Sequence, residues 1–273
     1  VKFFIVDHKL RSESTKEAKF VSLLLKKKLI ESEILTWKGR KPIKNIQSEA
    51  RIKRYELLFK QCEKFKIKNI LLGHHQGDLF ENFFIRFLRG SGLKGLISLD
   101  KRSKIQNKNI LRPLIDQKKE DLVYISKKVF NFYVEDPTNL DEKFQRIRVR
   151  KLINELEKNG LNKEKFLQTI RNLKYSDNVV SFYVNENLKK NTFFSKKKNT
   201  LILNKFFFTQ PYEVIFRALS ESLKLVGKKY YSVRGKKLDK IINDIKNNPS
   251  LRSTLGGCII EKVNETVIIS KEY

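Results

Sequence analysis

The chain has 273 residues, 40% of them hydrophobic, enough to bury a sizeable core and too many for a disordered tail. No run approaches the ~20 apolar residues of a spanning helix, and two cysteines, Cys62 and Cys258, exclude a disulfide scaffold or an all-cysteine zinc site within one chain. Lys and Arg number 59 against 30 Asp and Glu, a formal net charge of +29, which points to a polyanionic partner, nucleic acid ahead of an anionic membrane surface.

Residues 1–6 are apolar and β-rich and read as a buried parallel strand. They are too short for a secretory h-region, so the cytoplasm is the expected compartment. The chain contains no Met and opens directly in this strand, which reads as a start that lies upstream. Asp7 and His8 follow at the strand's C-terminal end, the edge where open α/β sheets bind ligands. Residues 14–28 form an amphipathic helix with Ser14 and Glu17 spaced as a capping box. A second strand at 34–37, a basic loop at 38–45, a helix at 48–65 and a third strand at 69–73 complete a βαβαβ rhythm. That rhythm predicts a doubly wound parallel sheet. A helix beginning near Asp78 runs into Arg89-Gly90-Ser91-Gly92. An extended segment at 109–114 and helices at 118–129 and 144–158 follow. Beyond about Gly160 the composition changes: helical stretches at 163–190 lead to a small α+β unit with strands at 200–203 and 258–263, a hairpin to 266–270, and helices at 211–225 and 236–247. We expect a first domain over 1–158, a helical linker over 159–192 and an α+β domain over 193–273.

Chemistry concentrates where the third strand meets its helix, in His74-His75-Gln76-Gly77-Asp78-Leu79-Phe80-Glu81. Asp78 and Glu81, three apart, share one helix face and gain from the macrodipole at a helix start. Such a pair can hold an ammonium group or share Mg²⁺, or simply cap the helix. His74 and His75 lack the further soft ligands that zinc needs nearby in sequence. Arg51 and Arg54 read as solvated charges on the polar side of their helix. Arg89-Gly90-Ser91-Gly92 offers backbone N–H groups and a guanidinium to phosphate, or is a helix terminus with glycine caps. Arg146 and Arg150 share a helical face while Arg148 points away. Phosphate contacts and a solvated basic face are both open for the three.

In order, the blocks V-D-H-x-L-R-x-E-S, S-E-A-R-x-x-R-Y, L-L-G-H-H-x-x-D-x-x-E-N, R-G-S-G-L-x-G-L, R-P-L and E-D-P-T-N-x-D-x-x-F-x-R-x-R-V-R closely resemble the tRNA(Ile)-lysidine synthetases, which belong to the N-type ATP pyrophosphatases (PP-loop superfamily). They cover about residues 6–150. The C-terminal Arg234-Gly235-Lys236-Lys237-Leu238 and Thr254-Leu255-Gly256-Gly257-Cys258 are also similar to that family. The resemblance implies an enzyme that uses ATP and Mg²⁺ to adenylate C2 of the wobble cytidine in a CAU-anticodon tRNA(Ile). L-Lysine then displaces AMP, and the codon read changes from AUG to AUA. It implies catalytic roles for Asp78, Glu81, Arg51 and His74, with Asp78 toward Mg²⁺. It implies nucleotide contacts for His8, Arg89, Gly90 and Gly92, and tRNA contacts for Arg112, Arg146, Arg148 and Arg150. Dimers are common in the family, and no membrane is involved.

Two departures stand out. The family's S-G-G-x-D-S phosphate loop, expected one helix upstream of Val1, is absent from this chain, so the chain as it stands is expected to be inactive. The usual H-H-x-D-D-x-x-E-T is here H-H-Q-G-D-L-F-E-N, with Gly77 in place of the first Asp and Asn82 in place of Thr. Two rivals remain. A tRNA thiolase would use paired cysteines, whereas Cys62 and Cys258 are far apart in sequence. A non-catalytic RNA-binding derivative of the enzyme would lack the phosphate loop.

Overall fold

The computed structural model describes residues 1–133, 143–195, 199–228, 233 and 235–272. The Glu135-Asp136-Pro137-Thr138-Asn139 motif, the Lys196-Lys197-Lys198 run and Arg234 lie outside the described residues. The chain forms two compact units, Val1–Lys163 and Glu164–Tyr273.

The first unit is α/β, as expected. Strand β1 (Phe3–Asp7) is followed by α1 (Ser14–Lys27), β2 (Ser32–Thr36), α2 (Ile46–Lys64), β3 (Asn69–Leu71), α3 (Gln76–Phe87) and a single turn α4 (Leu93–Leu96). A hairpin of β4 (Arg102–Ile105) and β5 (Lys108–Leu111) then leads to α5 (Lys119–Phe130) and α6 (Gln145–Lys158). β1 and β2 pair in parallel from Phe3↔Ser32 to Asp7↔Thr36, and β3 and β5 pair in parallel from Asn69↔Asn109 to Leu71↔Leu111. Among the described residues the hydrogen bonding runs in two ladders, β1-β2 and β3-β5-β4. One core serves both: Leu35, Leu58, Phe59, Cys62, Ile70 and Ile110, with Phe4, Val6 and Leu72 against them. Helix α2 supplies Leu58, Phe59 and Cys62 to that core, so its opposite, polar side is presented away from the sheet.

Two local expectations are corrected. The Ser14–Glu17 capping box does not form. Ser14 Oγ instead donates to Asp7 Oδ1 at 2.8 Å, and Thr15 Oγ1 to Asp7 Oδ2 at 2.7 Å, while Glu17 accepts from Arg11 at 2.7 Å. A buried carboxylate (Asp7 is 2% exposed) outcompetes a backbone amide for the hydroxyl, because it has no water to turn to. Strand β4 was not foreseen, since Arg102-Ser103-Lys104 carries no apolar alternation. Its place is set by Gln106 and Asn107, both at positive φ (46° and 62°), which make the two-residue turn that a right-twisted hairpin favours.

In the second unit, α7 (Lys163–Asn191) leads into β6 (Thr192–Ser195), β7 (Thr200–Leu203), α8 (Tyr212–Gly227), α9 (Gly235–Asn247), β8 (Leu251–Leu255), β9 (Cys258–Val263) and β10 (Thr266–Lys271). The strands form one antiparallel sheet of order β6-β7-β10-β9-β8. Inward residues Leu201, Leu203, Ile260, Val267 and Ile269 pack against Ile215, Leu219, Leu223, Leu238 and Ile242 of α8 and α9. The Gly256-Gly257 pair, both at positive φ, turns the β8–β9 hairpin. Gly227 closes on it so tightly that a Cβ there would sit 2.4 Å from Gly256 O. No helix among the described residues is long and apolar enough to cross a membrane.

Candidate active site

The site lies in the first unit, at the C-terminal ends of its parallel strands. β3 ends at Leu71, and His74 and His75 follow before α3 begins. His75 is the N-cap of α3: its Nδ1 accepts from Gly77 N–H at 3.0 Å, and its own N–H donates to Asp78 Oδ2 at 3.0 Å. With Nδ1 accepting, the neutral ring carries its proton on Nε2, which faces Asp78 Oδ2 at 3.6 Å. Gly77 is what makes this possible, because a Cβ there would lie 2.9 Å from His75 Cε1. The carboxylate that the resemblance led one to expect at 77 is replaced by an imidazole lying over that position. Asp78 is thereby held at the first turn of the helix by Oδ2, and its Oδ1 has no hydrogen-bond partner among the described residues.

Glu81, one turn on, is 3% exposed. Helix α6 packs along α3 and clamps it, with Arg150 Nε 2.5 Å from Oε1 and Arg146 Nε 3.9 Å from Oε2. Arg148 is exposed on the other side of α6 and donates to Lys143 O at 3.1 Å. The clamp exists because Ile147, Val149 and Ile153 bury the intervening face of α6.

His74 is surrounded by cations. Burial drives its pKa down to about 4, and Arg112, Arg51 and Arg146 push the same way, against Asp78. The ring is neutral at physiological pH and its Nδ1 is buried with no hydrogen-bond partner. Arg51 lies over Tyr55, 5.3 Å from the ring centroid, with Nη2 3.5 Å from the hydroxyl. Arg54, half-buried, has no carboxylate partner among the described residues. Burial, with Arg51 and Arg146 beside it, holds its pKa below the ordinary guanidinium value. It also depresses His8, whose pKa is lowered first by burial and then by Arg54. His8 stands edge-on to Trp37 (centroids 6.1 Å) with Nδ1 buried and unpartnered. Arg54 therefore links the ends of the two ladders. Sequence reasoning passed over it as solvated. The signal that could have found it is its spacing from Ala50, Leu58 and Cys62 on the helix, which puts it at the margin of the buried face rather than opposite it.

The structure thus brings together His8, Arg51, His74, Asp78, Glu81, Arg146 and Arg150, and adds Arg54, Tyr55 and His75. It does not bring the R-G-S-G segment there. Gly90, at φ 66°, ends α3 and Gly92 begins α4, roughly 18 Å along the 12-residue helix from His75, while Arg89 bonds Gln145 of α6. Arg112 is turned into the protein: it is 2% exposed and donates to Asp100 O at 2.8 Å and Ser103 Oγ at 3.0 Å. Among the described residues no three His, Cys, Asp or Glu side chains stand close enough to cage a metal ion. Asp78 Oδ1 is one uncommitted donor, which fits a divalent ion shared with substrate phosphates and water rather than a protein-built cage.

A parallel α/β unit whose strand ends gather histidines, carboxylates and guanidinium groups defines a nucleotide-handling domain. The chain belongs to the PP-loop domain family, whose model matches residues 1–157. Beyond that domain it is similar to proteins named tRNA(Ile)-lysidine synthase. It is 32% identical over 275 residues to that of Wolbachia sp. subsp. Brugia malayi (strain TRS) and 33% identical over 280 residues to that of Orientia tsutsugamushi (strain Boryong). Each match takes in 98% of this chain and 62% of the relative. The chain thus spans just over three fifths of the length of these curated relatives. Among solved structures it resembles the U34-tRNA thiolase NcsA from Methanococcus maripaludis with its [4Fe-4S] cluster. The TM-score is 0.52 at 16% identity, covering 63% of this chain and 59% of that one, a likeness of fold.

Proposed function

We propose that this chain is the greater part of a tRNA(Ile)-lysidine synthetase, which joins L-lysine to C2 of the wobble cytidine of a CAU-anticodon tRNA(Ile) at the expense of ATP. The observation that carries this reading is the cluster of Arg51, Arg54 and Arg146, of which Arg51 and Arg146 also act on a neutral His74, beside two helix-borne carboxylates. Arg51 and Arg54, which have no carboxylate partner among the described residues, suit a polyphosphate. Carboxylates held still beside them suit an ammonium-bearing co-substrate.

In the first step the cytidine O2 attacks the α-phosphorus of ATP and pyrophosphate leaves. The guanidinium groups stabilise the charge that develops there. Mg²⁺, with Asp78 Oδ1 as its protein donor, would neutralise further phosphate charge. In the second step the lysine ε-amine adds to C2 and AMP departs with the oxygen, releasing one proton. Asp78 and Glu81 set the negative potential that draws in the ammonium group, and the proton it loses to become nucleophilic passes to water. The basic surface of the chain holds the tRNA, with Arg148 on the exposed side of α6 as one contact. Arg112, buried and bonded to Asp100 O and Ser103 Oγ, serves by fixing the segment around it.

The test is lysine incorporation by the full-length protein, supplied with ATP, L-lysine and unmodified tRNA(Ile) transcript. The expected result is ATP- and lysine-dependent product, abolished by Asp78→Ala with tRNA binding retained. Tight tRNA binding by the wild type with no pyrophosphate release would replace the enzyme with a non-catalytic RNA binder.

A further inference from the structure

Between β2 and α2 runs Lys38-Gly39-Arg40-Lys41-Pro42-Ile43-Lys44-Asn45, a stretch with four cations and no acid. It is built rather than slack. Trp37, at its root, is 8% exposed and donates its backbone N–H to Asp7 O at 2.8 Å, which fixes the root beside the end of β1. Lys41 folds back: its Nζ donates to Trp37 O at 2.9 Å and lies 4.2 Å over the indole. Gly39 (φ 100°) and Asn45 (φ 54°) take the left-handed turns at either end. One cation thus serves as the internal clamp.

The other three, Lys38, Arg40 and Lys44, are exposed and have no ion-pair partner among the described residues. Ile43 stands out between them, 82% exposed. The loop lies at the mouth of the site: His8 follows the strand to which Trp37 is bonded, Lys41 acts electrostatically on His8, and α2, which starts at Ile46, carries Arg51 and Arg54. Three unpaired cations on a preorganised loop match the spaced phosphates of a nucleic-acid backbone. The exposed Ile43 offers an apolar contact of the kind unstacked bases and riboses take.

We propose that residues 38–45 form a docking surface for the RNA backbone, gripping the substrate next to the nucleotide that enters the site. The proposal rests on the reading above that the substrate is an RNA. Lys38, Arg40 and Lys44 contact phosphates, Ile43 contacts a base or ribose, and Lys41 is the positioning residue that holds the loop.

The test measures tRNA(Ile) transcript binding to full-length protein between 50 and 200 mM salt, for wild type and for the triple variant Lys38→Ala, Arg40→Ala, Lys44→Ala. We expect affinity at least about tenfold weaker at the low-salt end. The slope of log affinity against log salt should be shallower by about two to three, the release expected for three phosphate contacts. ATP affinity by calorimetry should be unchanged. Ile43→Ala should weaken binding without altering the slope. Unchanged tRNA affinity and slope in the triple variant would overturn the proposal. So would a loss of ATP affinity with tRNA binding intact, or loss only of binding to phosphatidylserine vesicles. Loop-dependent tRNA binding without lysine incorporation would sink the proposed activity and leave the docking surface standing.

Discussion

Arg54 shows how a single side chain can be spent on function at the expense of stability. A half-buried guanidinium beside Arg51 and Arg146, with no acid to answer it, costs folding free energy through desolvation and like-charge repulsion. Arg54→Met should therefore raise the thermal midpoint or leave it unchanged while lowering pyrophosphate release by at least about a hundredfold. A stability loss with full turnover would reverse the reading. Gly77 is the complementary case. A methyl group there meets His75 Cε1 at 2.9 Å, so Gly77→Ala should dislodge the imidazole cap, at about 1 kcal/mol of stability, and release Asp78. Kinetics should show a fall in kcat far larger than the small shift in midpoint accounts for. The sequence made Asp78 and Glu81 legible because D-x-x-E spacing is a helical-face signal. It did not make His75 legible as a cap, because imidazole seldom takes that role and its use here depends on the missing Cβ two residues on.

The helices are the elements that assemble the carboxylate–guanidinium cluster. α3 presents Asp78 at its first turn and buries Glu81 at its second, and α6 lies along it so that Arg150 and Arg146 reach across. Glu81→Gln would leave two guanidinium groups facing a neutral amide. Partial solvent access to the arginines moderates the penalty, and we expect a loss of about 1–2 kcal/mol in chemical denaturation. The double variant Glu81→Leu, Arg150→Leu should recover part of it. No recovery would mean that the pair does not act as a unit. Most elements could be read from periodicity, because α2, α3 and α6 bury one stripe each. The strands that could not be read are β4, β6 and β8. Arg102-Ser103-Lys104 has no apolar alternation, and β6 and β8 lie at sheet edges, where a strand is defined by its neighbour's hydrogen bonds more than by its own side chains. The R-G-S-G segment left phosphate contact and helix termination open because glycines serve both, and it lies at the C-terminal end of α3.

For the molecule as a whole, the burial of histidines at the strand ends, reinforced by neighbouring cations, ties stability to pH. His74 titrates at about 4 in the folded protein against 6.5 unfolded, and His8 shifts in the same direction. Between those values the unfolded chain binds more protons, so folding weakens as pH falls from about 6.5 toward 4. Asp7, held below its ordinary value by Thr15, Lys9 N–H and Ser14 despite burial, contributes stability above pH ~3.8 that is lost only as pH drops further. The urea midpoint should fall between pH 7 and pH 5, and should fall less in His74→Gln. An equal fall in both would remove His74 as a source. Trp37 gives the molecule a property that no assay has to add. It is the chain's only indole, seated between the His8 ring and the Lys41 ammonium. Its emission responds to the charge and order of both neighbours, so substrate arrival at either flank can be followed by ultraviolet fluorescence in real time, without a label.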